Sequence, residues 1–222
     1  WRVTLRIHVD PSITGFVPRL LAEETLGGSK AQTQGSFSAK WNRVPDLGEA
    51  FTGFQKTWYL ERYGFDTEVS LRGFLQDQRF ILDAGAGLGR NTGWHAELAP
   101  DSVVFGVEIS DAIEIAQQQI GQSRNVCLIR GDITALPFRE GFFDYILCDQ
   151  VIHHTPHPEE TFKHLVSHTR KGGQIVLYTY KKKGPIREFC DDFIRGSSTR
   201  MTEEACYQLS RSIALLGKAL SD

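Results

Sequence analysis

The sequence predicts an α/β fold: a doubly wound, Rossmann-like, mostly parallel sheet preceded by a helical, aromatic-rich cover. Three observations carry this expectation. From Phe80 onward, short apolar runs alternate with helical stretches. The first run leads into Asp83-Ala84-Gly85-Ala86-Gly87-Leu88-Gly89, in which alternate glycines let the backbone turn hard and let a ligand approach the main chain. Glu108 then closes the second run, where a wound sheet offers a carboxylate to ribose hydroxyls.

The elements follow in chain order. Residues 1–36 read as an extension or linker, because Gly27, Gly28 and a Ser/Gln/Thr-rich stretch to Ser38 resemble a mobile loop. Residues 37–79 crowd Phe37, Trp41, Phe51, Phe54, Trp58, Tyr59, Tyr63, Phe65 and Phe74 into one segment. Phe51, Phe54 and Trp58 fall at i, i+3, i+7, which predicts a helix whose stripe packs on the sheet, or a lid lining a substrate pocket. Residues 80–180 form the core, with strands expected at 80–84, 103–108, 126–130, 143–148 and 174–180. Helices are expected near 89–98, 111–119 and 159–169. Asp111 is positioned as an N-cap and Pro158-Glu159-Glu160 as a first turn, while Lys171-Gly172-Gly173 is expected to end the third helix. Beyond Tyr180, the run Lys181-Lys182-Lys183 reads as a solvated turn, or alternatively as a cationic edge that attracts a phosphate or carboxylate on the acceptor, followed by helical material at 186–195 and 203–220 and no sixth or seventh strand.

Composition narrows the function classes. With 222 residues, 41% hydrophobic and 23% charged, the chain is long enough for one substantial core. A net charge of -2 supplies no global field toward nucleic acid or an acidic membrane. Cys127, Cys148, Cys190 and Cys206 contain no Cys-x-x-Cys pair, which argues against a zinc site or disulfide framework and for a reducing, cytoplasmic location. Asp191-Asp192, without a His or Cys partner, is a poor metal ligand set, so no metal is expected. No apolar run approaches the ~20 residues of a membrane-spanning helix.

The candidate ligand-binding positions gather at strand ends. They are Asp83, Ala84, Gly85, Ala86, Gly87, Gly89 and Asn91 at the glycine turn, Glu108 and Ile109 after the second strand, and Gly131, Asp132 and Ile133 after the third. At Asp132 the carboxylate is placed to accept from an adenine amino group, with Ile133 against the ring. Asp149 and Gln150 follow the fourth strand, and His153 and His154 stand just beyond.

The glycine turn, Glu108, Gly131-Asp132-Ile133, Leu136-Pro137-Phe138, Phe143-Asp144 and His153-His154, in that order, resemble the class I methyltransferases that use S-adenosylmethionine. The likeness covers residues 80–180 and points to the small-molecule branch similar to ubiquinone and menaquinone methyltransferases. It implies a strand order of 3-2-1-4-5 and S-adenosylmethionine as cofactor, with S-adenosylhomocysteine as product. It also implies that Gly85–Gly89 faces the methionine part, Glu108 the ribose, Asp132 and Ile133 the adenine, and the Asp149 backbone the methionyl amino group. His154 is then the nearer candidate, and His153 the second, for removing a proton from the acceptor. Such domains carry two further strands, so either the native chain continues past Asp222, the favoured expectation, or residues 181–222 cap the edge of the fifth strand with helices. Ile13-Thr14-Gly15-Phe16-Val17-Pro18-Arg19 resembles the end of a zinc-ribbon-like segment that precedes some bacterial methyltransferases.

The expected activity is therefore methyl transfer to a small organic acceptor through oxygen, carbon or nitrogen. Nucleic acid is disfavoured as acceptor: residues 149–152 lack an Asn/Asp-Pro-Pro-aromatic run, and no Pro-Cys pair offers a nucleophile toward a pyrimidine ring. Two alternatives stand beside this reading. One is a catalytically silent binding or scaffold module; the other is a nicotinamide-dependent oxidoreductase, against which Arg90 stands where Gly-x-Gly-x-x-Gly needs its third glycine. The sequence leaves the oligomeric state open.

Overall fold

In the computed structural model, residues 28–43, 48–180, 192, 194, 196, 198 and 201–221 are described. Five strands alternate with helices: β1 (Phe80–Ala84), β2 (Val103–Glu108), β3 (Val126–Arg130), β4 (Phe143–Asp149) and β5 (Thr169–Tyr178). All neighbouring pairs are parallel and the order is β3-β2-β1-β4-β5, as the resemblance implies. Helices α1 (Gly28–Arg43), α2 (Gly48–Tyr63) and α3 (Glu68–Gln76) precede the sheet. Helices α4 (Arg90–Leu98), α5 (Ala112–Ile120) and α6 (Pro158–His168) follow β1, β2 and β4.

Alternation along the strands builds two core layers, because successive side chains point to opposite faces. Ile81, Val104, Tyr145 and Leu147 pack with Tyr59 of α2, Leu71 and Leu75 of α3 and Trp94 of α4. Leu82, Phe105, Phe143 and Ile146 form the opposite layer with Leu136, Ile152 and Leu165. Both faces of the sheet are thus covered, as a parallel sheet requires. Residues up to Thr179 form one compact unit and Tyr180–Asp222 a second. Within the second, α7 (Glu203–Ser221) is an amphipathic helix on which Tyr207, Leu209 and Ile213 are exposed.

Several expectations are corrected. The stretch to Ser38 is not a linker: it is helical as part of α1, which crosses the boundary drawn at residue 36. Its helicity has a tertiary cause, since Lys30, Phe37, Ser38 and Trp41 fall on one helical face and each meets the sheet domain. In α2, Phe54 of the predicted stripe is 63% exposed, while Trp58 meets Tyr178 of β5 edge-on and the neighbouring Tyr59 is buried against β4. Asp111 occupies the cap position of α5 but makes no capping hydrogen bond, because its carboxylate is paired with Arg130. Lys171-Gly172-Gly173 does not end α6; these residues lie inside β5, which begins at Thr169 and is irregular opposite the Phe143–Tyr145 stretch of β4. A Cβ on Gly173 would stand 2.7 Å from the Asp144 carbonyl oxygen, so glycine admits that irregular path. The strand ends at Tyr178, short of Tyr180. Ile13–Arg19 and Lys181–Lys183 lie outside the described residues.

Candidate functional site

The carboxyl ends of β1, β2 and β4 bring three carboxylates around the glycine turn. Gly85 N and Ala86 N both donate to the Val107 carbonyl, at 2.8 and 3.0 Å, tying the turn to β2. Gly85, Gly87 and Gly89 all have positive φ, and Gly89 opens α4 from the left-handed region. At Gly85 any side chain is excluded twice: by a φ of 91° and by Val151, whose Cβ would stand 2.9 Å from an added Cβ. Asn91 lies half-buried in the first turn of α4, and Ala84 ends β1 in register with Val107.

Glu108 braces this turn from below. Its Oε2 accepts from Gly87 N at 2.9 Å, and its Oε1 accepts from Ser110 N at 2.9 Å and Ser110 Oγ at 2.6 Å. A carboxylate has about four acceptor sites, so one remains for a ligand. Asp83 is buried, its Oδ2 accepting from Thr92 Oγ1 at 2.7 Å. Burial lifts its pKa to about 7 against the pull of the Thr92 hydrogen bond, and the charges of Asp149 and Glu108 add to the rise. Ile109, half-buried, leads from Glu108 into Ser110.

Asp132 follows β3, with Gly131 N donating to the Glu108 carbonyl at 2.9 Å. Its Oδ1 accepts from Thr134 N at 2.8 Å, and its Oδ2 takes Lys30 Nζ of α1 at 2.6 Å. Burial pushes the Asp132 carboxyl upward, but these hydrogen bonds outweigh it and hold the group below the usual carboxylate range. Ile133 is buried in the core layer with Leu136 and Phe143. Helix α1 then runs from Lys30 at the β3 end to the glycine turn, where Trp41 lies 3.7 Å from the position of a Cβ on Gly87. Ser38 Oγ accepts from Asp111 N at 3.0 Å, and Phe37 meets the His154 ring edge-on at 5.0 Å.

At the end of β4, Asp149 Oδ1 accepts from Tyr63 OH at 2.8 Å and from Arg62 Nη1 at 3.1 Å. Gln150 is the one non-glycine residue with positive φ among those described, at 61°, and its N–H donates to the Tyr178 carbonyl at 3.0 Å. A long side chain held in the left-handed region marks a backbone turned for a purpose. His153 and His154 sit on the short 3-10 turn Ile152–His154, their rings 4.2 Å apart. His154 is exposed, whereas His153 is half-buried with Nδ1 3.4 Å from Thr179 Oγ1, and burial lowers its pKa. Among the described residues no group of three or more His, Cys, Asp or Glu could hold a metal, and no helix is long and apolar enough to cross a membrane.

The sequence reading missed the partners of its own carboxylates: Thr92 under Asp83, Ser110 at Glu108, Lys30 at Asp132, and Arg62 with Tyr63 at Asp149. Ser110 alone carried a local signal, two residues from Glu108. Also missed was His95, fully buried with neither ring nitrogen hydrogen-bonded among the described residues. It lies in the Tyr59–Trp94–Tyr145 cluster, and burial lowers its pKa to about 3, so it is neutral.

Comparison with known proteins agrees with this geometry. Residues 82–177 match the family described as a methyltransferase domain. A demethylmenaquinone methyltransferase of Renibacterium salmoninarum is 25% identical over 130 residues, covering 57% of this chain and 52% of the relative. A ubiquinone/menaquinone biosynthesis C-methyltransferase of Yersinia pestis is 24% identical over 181 residues, covering 79% of this chain and 68% of the relative. The chain spans 26% of an uncharacterised Synechococcus protein to which it is 32% identical, and 51% of a Streptomyces halstedii methyltransferase at 23% identity. Among solved structures, the PH0226 protein of Pyrococcus horikoshii shares the fold, with a TM-score of 0.50 and 19% identity over 77% of this chain and 70% of that one.

Proposed function

We propose, from the premise that residues 82–177 form a class I methyltransferase domain similar to those of ubiquinone and menaquinone methyltransferases, that the chain transfers a methyl group from S-adenosylmethionine to a small organic acceptor by in-line displacement. The observation that carries this reading is the pairing of the Gly85–Gly89 turn with Glu108. A buried carboxylate accepts from the turn's own backbone at Gly87, and its hydrogen bonds leave one acceptor site beside a turn of three glycines with positive φ.

These residues fit an adenosyl group. The glycine turn admits close approach, Glu108 is placed for the ribose hydroxyls, and Asp132 for the adenine amino group once Lys30 shares or yields it. The Asp149 backbone and Gln150 would face the methionyl end. Bound there, S-adenosylmethionine supplies a methyl group on a sulfonium already activated toward displacement. The protein's own contribution is then positioning and exclusion of water, and orientation alone is worth up to ~7–11 kcal/mol in favourable cases. Helix α1 would help exclude water, since Trp41 lies over the turn, Phe37 against the 3-10 segment and Ser38 at the start of α5. His154, exposed beside Phe37, is positioned to take a proton from an acceptor hydroxyl or acidified carbon, with His153 behind it. A cationic ligand would favour the ionised form of Asp83, whose pKa burial lifts to about 7.

Calorimetric titration tests the reading against its alternatives. S-adenosylhomocysteine is expected to bind and NAD is not; binding of NAD instead would make the chain an oxidoreductase, and binding of neither a silent module. Glu108→Ala is expected to weaken S-adenosylhomocysteine more than about 10-fold, since a hydrogen bond to a charged group contributes ~1.5–3 kcal/mol. Unchanged affinity in that variant would remove the ribose from Glu108.

A further inference from the structure

Two histidines of α6 hold the loop that follows β3, one by accepting a hydrogen bond and one by donating. Within the loop, Gly131 N donates to the Glu108 carbonyl, Thr134 N to Asp132 Oδ1 and Ala135 N to the Asp132 carbonyl. Leu136, buried in the core, has a different acceptor: its N–H donates to His164 Nε2 at 3.1 Å. A ring nitrogen that accepts carries no proton, so His164 is neutral in this arrangement with its proton on Nδ1. One turn further on, His168 is buried, with Nδ1 2.8 Å from the His164 carbonyl and Nε2 3.0 Å from the Phe138 carbonyl. Ser167 Oγ, 3.3 Å from that Nδ1, directs its own hydrogen to the His164 carbonyl at 2.8 Å. Carbonyl oxygens only accept, so His168 satisfies both contacts only as an imidazolium.

The two rings stand 4.4 Å apart, so charging both sets like charges against each other. A proton on His168 meets two waiting carbonyls, whereas a proton on His164 Nε2 removes the acceptor of Leu136 and leaves a backbone N–H unpaired in the core. Burial lowers the His164 pKa and the charge of His168 lowers it further, against the pull of Asp132 in the loop and of Glu140 beyond it. Lys30 of α1 reaches the same loop through Asp132 and Thr134. The loop carries Asp132 and Ile133, the residues proposed to hold the adenine, and Leu136 shares a core layer with Ile133 and with Leu165 of α6. The adenine side of the crevice is thus fastened to α6 through a hydrogen bond that one protonation state of one histidine permits.

We infer that His164 is a positioning residue for the methyl donor: neutral, it holds the loop that presents Asp132 and Ile133, and its protonation, after His168 has taken the pair's first proton, releases that loop and weakens donor binding. The effect on the ligand rests on the methyltransferase reading; the hydrogen bond does not. Proton-nitrogen NMR of the unmodified chain is expected to show His164 with its proton on Nδ1, and His168 charging before it as pH falls. A proton on Nε2 of neutral His164, or His164 charging first, overturns the inference without any variant having to fold. Calorimetric titration of S-adenosylhomocysteine reads the consequence. From about pH 7.5 to about pH 5.5 the parent is expected to lose at least about 3-fold more affinity than His164→Gln, within the roughly 10-fold per pH unit that one proton allows. Glutamine offers an acceptor oxygen near the place of Nε2 and takes up no proton, so at the higher pH it is expected to match the parent within about twofold. Asp83, whose carboxyl titrates near 7, contributes to parent and variant alike. His164→Phe, with no acceptor, is expected to bind more weakly than His164→Gln at both pH values. Equal pH responses of the parent and His164→Gln, or equal affinities of the Gln and Phe variants, overturn the inference. Stability gives a reading without cofactor: the unfolded imidazole takes up its proton near 6.5 and the folded one lower, so the parent loses Tm as pH drops below 6.5, and His164→Gln is expected to lose less. Failure of S-adenosylhomocysteine to bind the unmodified chain counts against the methyltransferase reading and the donor role together, while NMR and Tm still decide the tautomer and the order of protonation.

Discussion

Asp83 shows how one residue ties site chemistry to stability. Its position, the last apolar-flanked acid before the glycine turn, is legible in the sequence; its burial and its Thr92 partner are not, because Thr92 arrives nine residues later on α4. The unfolded carboxyl ionises near 3.8 and the folded one near 7, burial being the main cause. Below 3.8 both states are protonated and the difference costs nothing. Between the two values only the unfolded chain ionises, so it binds fewer protons and stability falls as pH rises. Above 7 both are ionised and the deficit stays constant, on the order of a few kcal/mol at ~1.4 kcal/mol per pH unit. Asp83→Asn, which keeps an oxygen for Thr92, is therefore expected to raise Tm at pH 8 and to change it little near pH 4. Thermal unfolding at the two pH values checks this, and an equal shift at both would place the Asp83 carboxyl in an ordinary environment.

At the scale of elements, the strands of the core were readable because a buried parallel strand writes itself as a short apolar run. Helix α1 was not: its low hydrophobicity and two glycines read as a loop, and what holds it helical is contact with residues far along the chain. Lys30 pairs with Asp132 across 102 positions, a relation no local pattern encodes. That pairing sets a competition, since the carboxylate proposed for the adenine amino group already carries an ammonium. Lys30→Met is expected to tighten S-adenosylhomocysteine about 2–5-fold, the worth of a partly exposed ion pair, and added salt to move the parent in the same direction. Weaker binding in that variant would instead make Lys30 part of the ligand's cover.

At the scale of the whole molecule, stability rests on the central strand. β1 lies between β2 and β4 with residues buried on both faces, so Leu82 has no solvent to turn toward. Leu82→Ala is expected to cost about 2–5 kcal/mol, whereas Phe54→Ala, at a 63% exposed position, is expected to stay within about 0.5 kcal/mol. Urea denaturation of the two variants compares them directly. A large loss at Phe54 would mean that this position is covered after all.

What the sequence determined by itself was the wound sheet, the glycine turn and the acids at the strand ends, because these depend on periodicity and on backbone conformations that few residues besides glycine adopt. Only the tertiary structure decided what each acid holds. Glu108 grips Gly87, Asp132 takes Lys30, and Asp149 joins Arg62 to Tyr63, each through a residue on a different element from its own. The physical reason is that a buried charge must be compensated by whatever the fold brings within reach, and reach in space is set by the packing of helices on the sheet rather than by distance along the chain.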